Sequence, residues 1–124
     1  MAKIEIRGRI PSKKNSLRRI RRGNRTFTVS SEKHQEWHDS ATIQVAMQNI
    51  EPYKGVSSVL IDFYMPDNRK ADLTNKAESL MDLLVDCGVI VDDCWQKVPS
   101  IILNFVEIDK LNPRAEIWIK KLEN

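Results

Sequence analysis

Three aspartates bracket one helix-and-turn segment of this chain, residues 66–93: Asp72 at its mouth, and Asp92 and Asp93 just beyond its glycine stop. Carboxylates held in that way suit a hard cation such as Mg²⁺ and the hydrolysis of a phosphodiester. Basic residues, Arg69 and Lys70, crowd the first of them. Leu73, Ala77, Leu80, Met81 and Leu84 recur at helical spacing, with Asp72 where an N-cap belongs and Gly88 where the chain should leave the helix. From Leu73 to Asp86 such a helix runs roughly 20 Å. Val89, Ile90 and Val91 read as a short extended run, and the five steps from Gly88 to Asp93 retrace about 16 Å if the chain folds back. Asp93 would then return nearly level with Asp72. The plain alternative is an ordinary capping aspartate and a solvated turn.

The elements that must position these groups read as α/β. Residues 3–10 alternate isoleucines with charged residues and predict a half-exposed strand. Gly23-Asn24, between Ile20 and the run 26–29, predicts a hairpin or ordered loop. Ser30 or Ser31 can cap a helix reaching about Ile50. Its apolar residues form two groups, Trp37, Ala41 and Val45, then Ile43, Met47 and Ile50, a face broad enough for the sheet and a second subunit. Residues 52–55 break that helix, and 59–65 form a strand leading into the acidic segment. Residues 101–108 and 115–120 read as two closing strands joined around Asn112-Pro113. The expectation is one domain over 1–124, a mixed β-sheet with two main helices packed against it.

Charge is distributed unevenly. The formal total is +3, yet the first 25 residues hold ten Lys or Arg against Glu5 alone, which leaves the remainder at −6. Lys13, Lys14, Arg18, Arg19, Arg21, Arg22 and Arg25 form a footprint suited to phosphates. No glycine-rich phosphate loop is present, which argues against an ATPase. No apolar run reaches membrane-spanning length, and Lys3, Glu5, Arg7 and Arg9 break up any leader at the start, so a cytoplasmic protein without a membrane partner is expected. Cys87 and Cys94 lack metal-pair spacing and read as reduced thiols.

Pro66-Asp67 followed by basic residues, Asp72-Leu73-x-Asn75, a helix carrying Asp82 and Leu84, then Gly88 and Asp92-Asp93 resemble the RusA family of Holliday junction resolvases. Pro11-Ser12-Lys13-Lys14-Asn15 with its arginine-rich sequel is similar to that family's opening motif. The resemblance implies a homodimeric, Mg²⁺-dependent endonuclease that cuts four-way DNA junctions symmetrically in recombination and repair, with Mn²⁺ as a substitute metal. It implies catalytic roles for Asp72 and Asp93, and DNA contacts from the basic cluster with Asn15, Arg69 and Lys70. A phage or prophage origin would suit so small a resolvase.

The chain departs from the family at two places. A second family aspartate is replaced by Thr74, and a family lysine by Glu78, while a lysine stands at Lys76. The reading adopted here is a cluster of Asp72, Glu78 and Asp93, with Asp92 helping or orienting; the alternative is that Glu78 solvates the helix's polar face, where Asn75, Ser79 and Asp82 also point. Glu78 lies about 9 Å along the axis from Asp72. Lys76, at i+4 from Asp72, either pairs with it, reaches the scissile phosphate, or is a plain surface lysine. His34 and His38 share helical spacing without a third ligand and read as surface histidines. Trp95 either stacks on a base or closes the core, and the core is the expectation. Two other functions stay open: a branched-DNA binder that has lost cleavage, and a metal nuclease acting on another nucleic acid.

Overall fold

The computed structural model describes residues 1–13 and 17–122. Its elements run β1 (Ala2–Arg7), β2 (Leu17–Arg22), β3 (Arg25–Ser30), α1 (Glu32–Met47), β4 (Ser57–Met65), α2 (Leu73–Asp86), β5 (Ser100–Ile108) and β6 (Arg114–Lys121). Four strands make one sheet in the order β1-β6-β4-β5, and β2 pairs with β3 in a separate two-stranded sheet. β4 lies parallel to β5 and antiparallel to β6, so the sheet is mixed, as expected.

The parallel pair follows from α2. A chain returning to the same end of a sheet needs a crossover, and α2 provides it between β4 and β5. The strands on either side of Asn112-Pro113 are therefore consecutive in sequence but not neighbours in the sheet. β4 takes the place between them because Val59, Ile61 and Phe63 make it the strand with most to bury. Ile4 and Ile6 of β1 and Ala115, Ile117 and Ile119 of β6 share that core with Leu80, Leu83 and Leu84 of α2. Replacing Phe63 with Ala is expected to lower stability by about 3–5 kcal/mol, read as a shift in urea midpoint without change in slope.

α1 starts at Ser31, whose Oγ accepts the His34 backbone N–H at 3.2 Å. Only part of its apolar face is buried within the single chain. Ala41 and Val45 are buried and Trp37 and Ile50 pack against the core, but Ile43 and Met47 are exposed. The helix spends polar side chains on the sheet instead. Gln48 accepts from the Glu5 N–H and donates to its carbonyl, and Gln44 accepts from the Arg7 N–H at 2.7 Å. These amides occupy backbone groups at the β1 edge, where another strand would otherwise pair.

The basic hairpin forms with Arg22 opposite Arg25. Gly23 has φ 60°, the left-handed conformation that a two-residue loop of type II′ places at its first central position. The run 89–91 does not become a strand: Gly88, at φ 74°, turns the chain, Val89 and Ile90 sink into the core, and one parallel bridge joins Ile90 to Tyr53. Cys87 and Cys94 are free thiols.

Candidate active site

Asp72 occupies the N-cap position of α2, yet its side chain makes no capping hydrogen bond. Asn75 Nδ2 donates to Asp72 Oδ2 at 3.2 Å instead, which keeps an exposed carboxylate at the positive end of the helix. Both residues line a cavity of about 420 Å³ with Arg9, Asp67, Arg69, Lys70 and Lys76. Asp67 sits at its basic rim: Arg9 hydrogen-bonds its carboxylate, the Arg69 backbone N–H donates to it at 3.1 Å, and these contacts hold its pKa below the usual range.

Lys76 is not a surface lysine. It is 6 % exposed, and its Nζ donates to the Ile10 carbonyl at 2.5 Å. Burial first, and Arg9 second, lower its pKa against a smaller opposing pull from Asp67. The side chain ties α2 to the segment that follows β1, and that segment leads directly to Lys13.

Lys13 reaches the acidic side of α2 farther along. Its Nζ makes a charge-assisted hydrogen bond to Asp82 Oδ2, and its pKa is raised by that bond and by the charges of Asp82, Glu78 and Asp93. Glu78 and Asp93 act on that ammonium through their charge, and Glu78 is exposed on the polar side of α2. Asp82 is the direct partner of Lys13, a residue the sequence placed on the polar face without a role. Its signal was available: Glu78 and Asp82 are four residues apart, on one side of α2. Asp92 serves its neighbour, accepting the Asp93 N–H at 2.8 Å through Oδ1. Asp72 faces the adjoining cavity, joined to this acidic face by residues 10–13.

These carboxylates are hard oxygen donors of the kind Mg²⁺ takes. Among the described residues, however, no three His, Cys, Asp or Glu side chains stand close enough to hold an ion together. The chemistry of the donor set fits a divalent cation, and the Lys13 ammonium is paired with one of the neighbouring carboxylates, Asp82.

The two histidines pack on α2 as well. His34 Nε2 lies 3.5 Å from Ser79 Oγ and its ring 5.6 Å from that of Trp37, while His38 Nε2 lies 2.9 Å from Asp86 Oδ2. Burial, then the charges of His38 and Lys13, hold the His34 pKa below its ordinary value, with Asp82 opposing. Trp95 reverses the expectation of a core residue: it is 73 % exposed, and Val98 fills the core position on that turn. Of the basic cluster, Arg21 and Arg25 are exposed, as are Arg69 and Lys70. Lys14 and Asn15 lie outside the described residues, as do the side chains of Arg18, Arg19 and Arg22.

No curated protein matches the chain. The family model for endodeoxyribonuclease RusA matches residues 9–120 of the 124, from Arg9 at the cavity rim to Lys120 near the end of β6. That span takes in Lys13, all of α2 and the Asp92-Asp93 turn, and the chain belongs to the RusA family of endodeoxyribonucleases.

Proposed function

We propose that this protein is a Mg²⁺-dependent endonuclease that resolves four-way DNA junctions by paired, symmetric cleavage, acting as a homodimer. The observation that carries the reading is Asp72, exposed at the N-terminus of α2 in a cavity it shares with Arg9, Arg69 and Lys70, with the Lys13–Asp82 pair farther along the same helix. Mg²⁺, or Mn²⁺ in its place, would be held by Asp72, Asp93 and Glu78 with Asp82 adjoining, and would supply Lewis-acid stabilisation and a water of lowered pKa. The chain's own residues do the rest. Arg69, Lys70 and the basic hairpin draw the DNA backbone towards the acidic face, and Lys13 can exchange carboxylate partners for a phosphate oxygen. Asp92 orients the Asp93 backbone, and Lys76 fixes the segment that carries Lys13.

The homodimer is supported by a contrast between the two sheet edges. β1 is covered by Gln44 and Gln48, whereas among the described residues β5 has no strand on its outer side and exposes Ile101, Ile102, Phe105, Val106 and Ile108. Natural edges of that composition are covered or paired. A two-fold pairing there would give two identical centres for two equivalent strands.

Lys13 also sets a prediction. Its ammonium competes with a divalent ion for the same carboxylates, so Lys13→Met should tighten Mn²⁺ binding severalfold while weakening junction binding. Titration calorimetry of the DNA-free protein reads the first effect, and unchanged Mn²⁺ affinity would contradict it.

The reading is tested by incubating the protein with a synthetic four-way junction and a matched linear duplex, with Mg²⁺ or with EDTA. Cutting of the junction only, and only with Mg²⁺, is expected; cutting of the duplex would refute the substrate. Thr74, in place of a family aspartate, favours a second reading, a branched-DNA binder that does not cut. Tight junction binding without cleavage in Mg²⁺ or Mn²⁺ would establish it.

A further inference from the structure

The turn that carries Asp92 and Asp93 also carries two exposed apolar side chains. Val91 precedes the acidic pair at 49 % exposure and Trp95 follows it at 73 %. Among the described residues no ring contact, cation or hydrogen bond engages the Trp95 indole, in contrast to Trp37, which packs against His34, and Trp118, which lies under Lys3. The turn is fixed at its far side. The Cys94 carbonyl accepts from the N–H groups of Lys97 at 3.0 Å and Val98 at 2.8 Å, Val98 is buried, and the Ser57 N–H donates to the Lys97 carbonyl at 2.9 Å. The indole therefore stands on a tethered support two residues from Asp93.

An open indole face on a rigid turn is what a nucleobase stacks on. Bases inside a duplex are unavailable, being stacked already, whereas a base at a branch point can leave its neighbours at small cost. On the reading above the reacting phosphate sits at Asp93, two residues from Trp95, so the base attached to that phosphate is the one within reach. We propose that Trp95 stacks on a nucleobase exposed at the branch point, positioning the adjoining phosphate at Asp93. The inference rests on the junction-cutting reading above. It makes Trp95 a positioning residue and a source of preference for branched over linear DNA.

The test uses a synthetic junction with 2-aminopurine at the branch point, bound in EDTA so that its strands stay intact. In the wild-type complex the probe should remain quenched against the indole, become severalfold brighter with Trp95→Ala, and be quenched again with Trp95→Phe. Junction affinity should fall about tenfold in Trp95→Ala through the lost stacking, with duplex affinity and thermal stability unchanged. Equal brightness in the wild-type and Trp95→Ala complexes would overturn the stacking role alone. A wild-type protein that binds the junction no better than the duplex would overturn the substrate reading, and the stacking role with it.

Discussion

Asp93→Asn and Asp72→Asn are each expected to lower junction cleavage by about a thousandfold or more, the loss of roughly 4 kcal/mol of transition-state stabilisation, while junction binding is kept. The exchange removes one negative charge and keeps the side chain's size, so its effect on packing is minimal at two exposed positions. Asp72 makes no capping bond for the fold to lose, and Asp93 contributes its backbone N–H, not its carboxylate, to the local turn. A helix-capping or turn-forming role would instead appear as lost stability with cleavage preserved. Single-turnover cleavage beside thermal melts separates the two outcomes. The companion variants Glu78→Gln and Asp82→Asn divide the acidic face. If Glu78 replaces the family's missing aspartate, Glu78→Gln should fall with the first pair, and intact Mg²⁺-dependent cleavage in that variant would remove it from the site.

The second large effect is expected at the open sheet edge. Phe105→Asp should turn a dimer into a 14.4 kDa monomer and convert paired cuts into single nicks. A carboxylate taken into an apolar interface without a partner costs about 3 kcal/mol or more, which raises a dissociation constant at least about a hundredfold. Phe105 is 56 % exposed in the single chain, so its replacement should leave the protomer folded. Light scattering after size exclusion gives the mass, and a wild-type protein that is monomeric throughout would end the dimer reading. Charge substitution at Arg7, on the edge that Gln44 and Gln48 already cover, is the natural control.

The sequence was most legible where a single period or a stop signal governs the backbone. α2 spans Leu73–Asp86 because its apolar stripe and Gly88 leave few alternatives, and Ser31 caps α1 for equally local reasons. The parallel pairing of β4 and β5 was not readable from alternation, since it depends on which strand wins the centre of the sheet. Nor were the fates of Trp95, Lys76 or Asp82. A tryptophan reads as core by composition, but Val98 outcompetes it for the buried place on that turn. A helix-surface lysine became buried because the chain after Ile10 crosses over it and offers a carbonyl. Asp82 acquired a partner from 69 residues away in sequence, a contact no local pattern encodes. The motifs thus singled out the α2 segment, and the long-range contacts of Ile10 and Lys13 with α2 set which of its side chains have partners.

Paired cutting can be read directly on a supercoiled plasmid that extrudes a cruciform. Two cuts within the lifetime of one complex give a linear molecule, whereas a single nick relaxes the plasmid, reabsorbs the junction and leaves a nicked circle. This protein should yield linear DNA with ligatable ends in Mg²⁺ and no product in EDTA. Nicked circles alone, or an intact plasmid, would contradict the account.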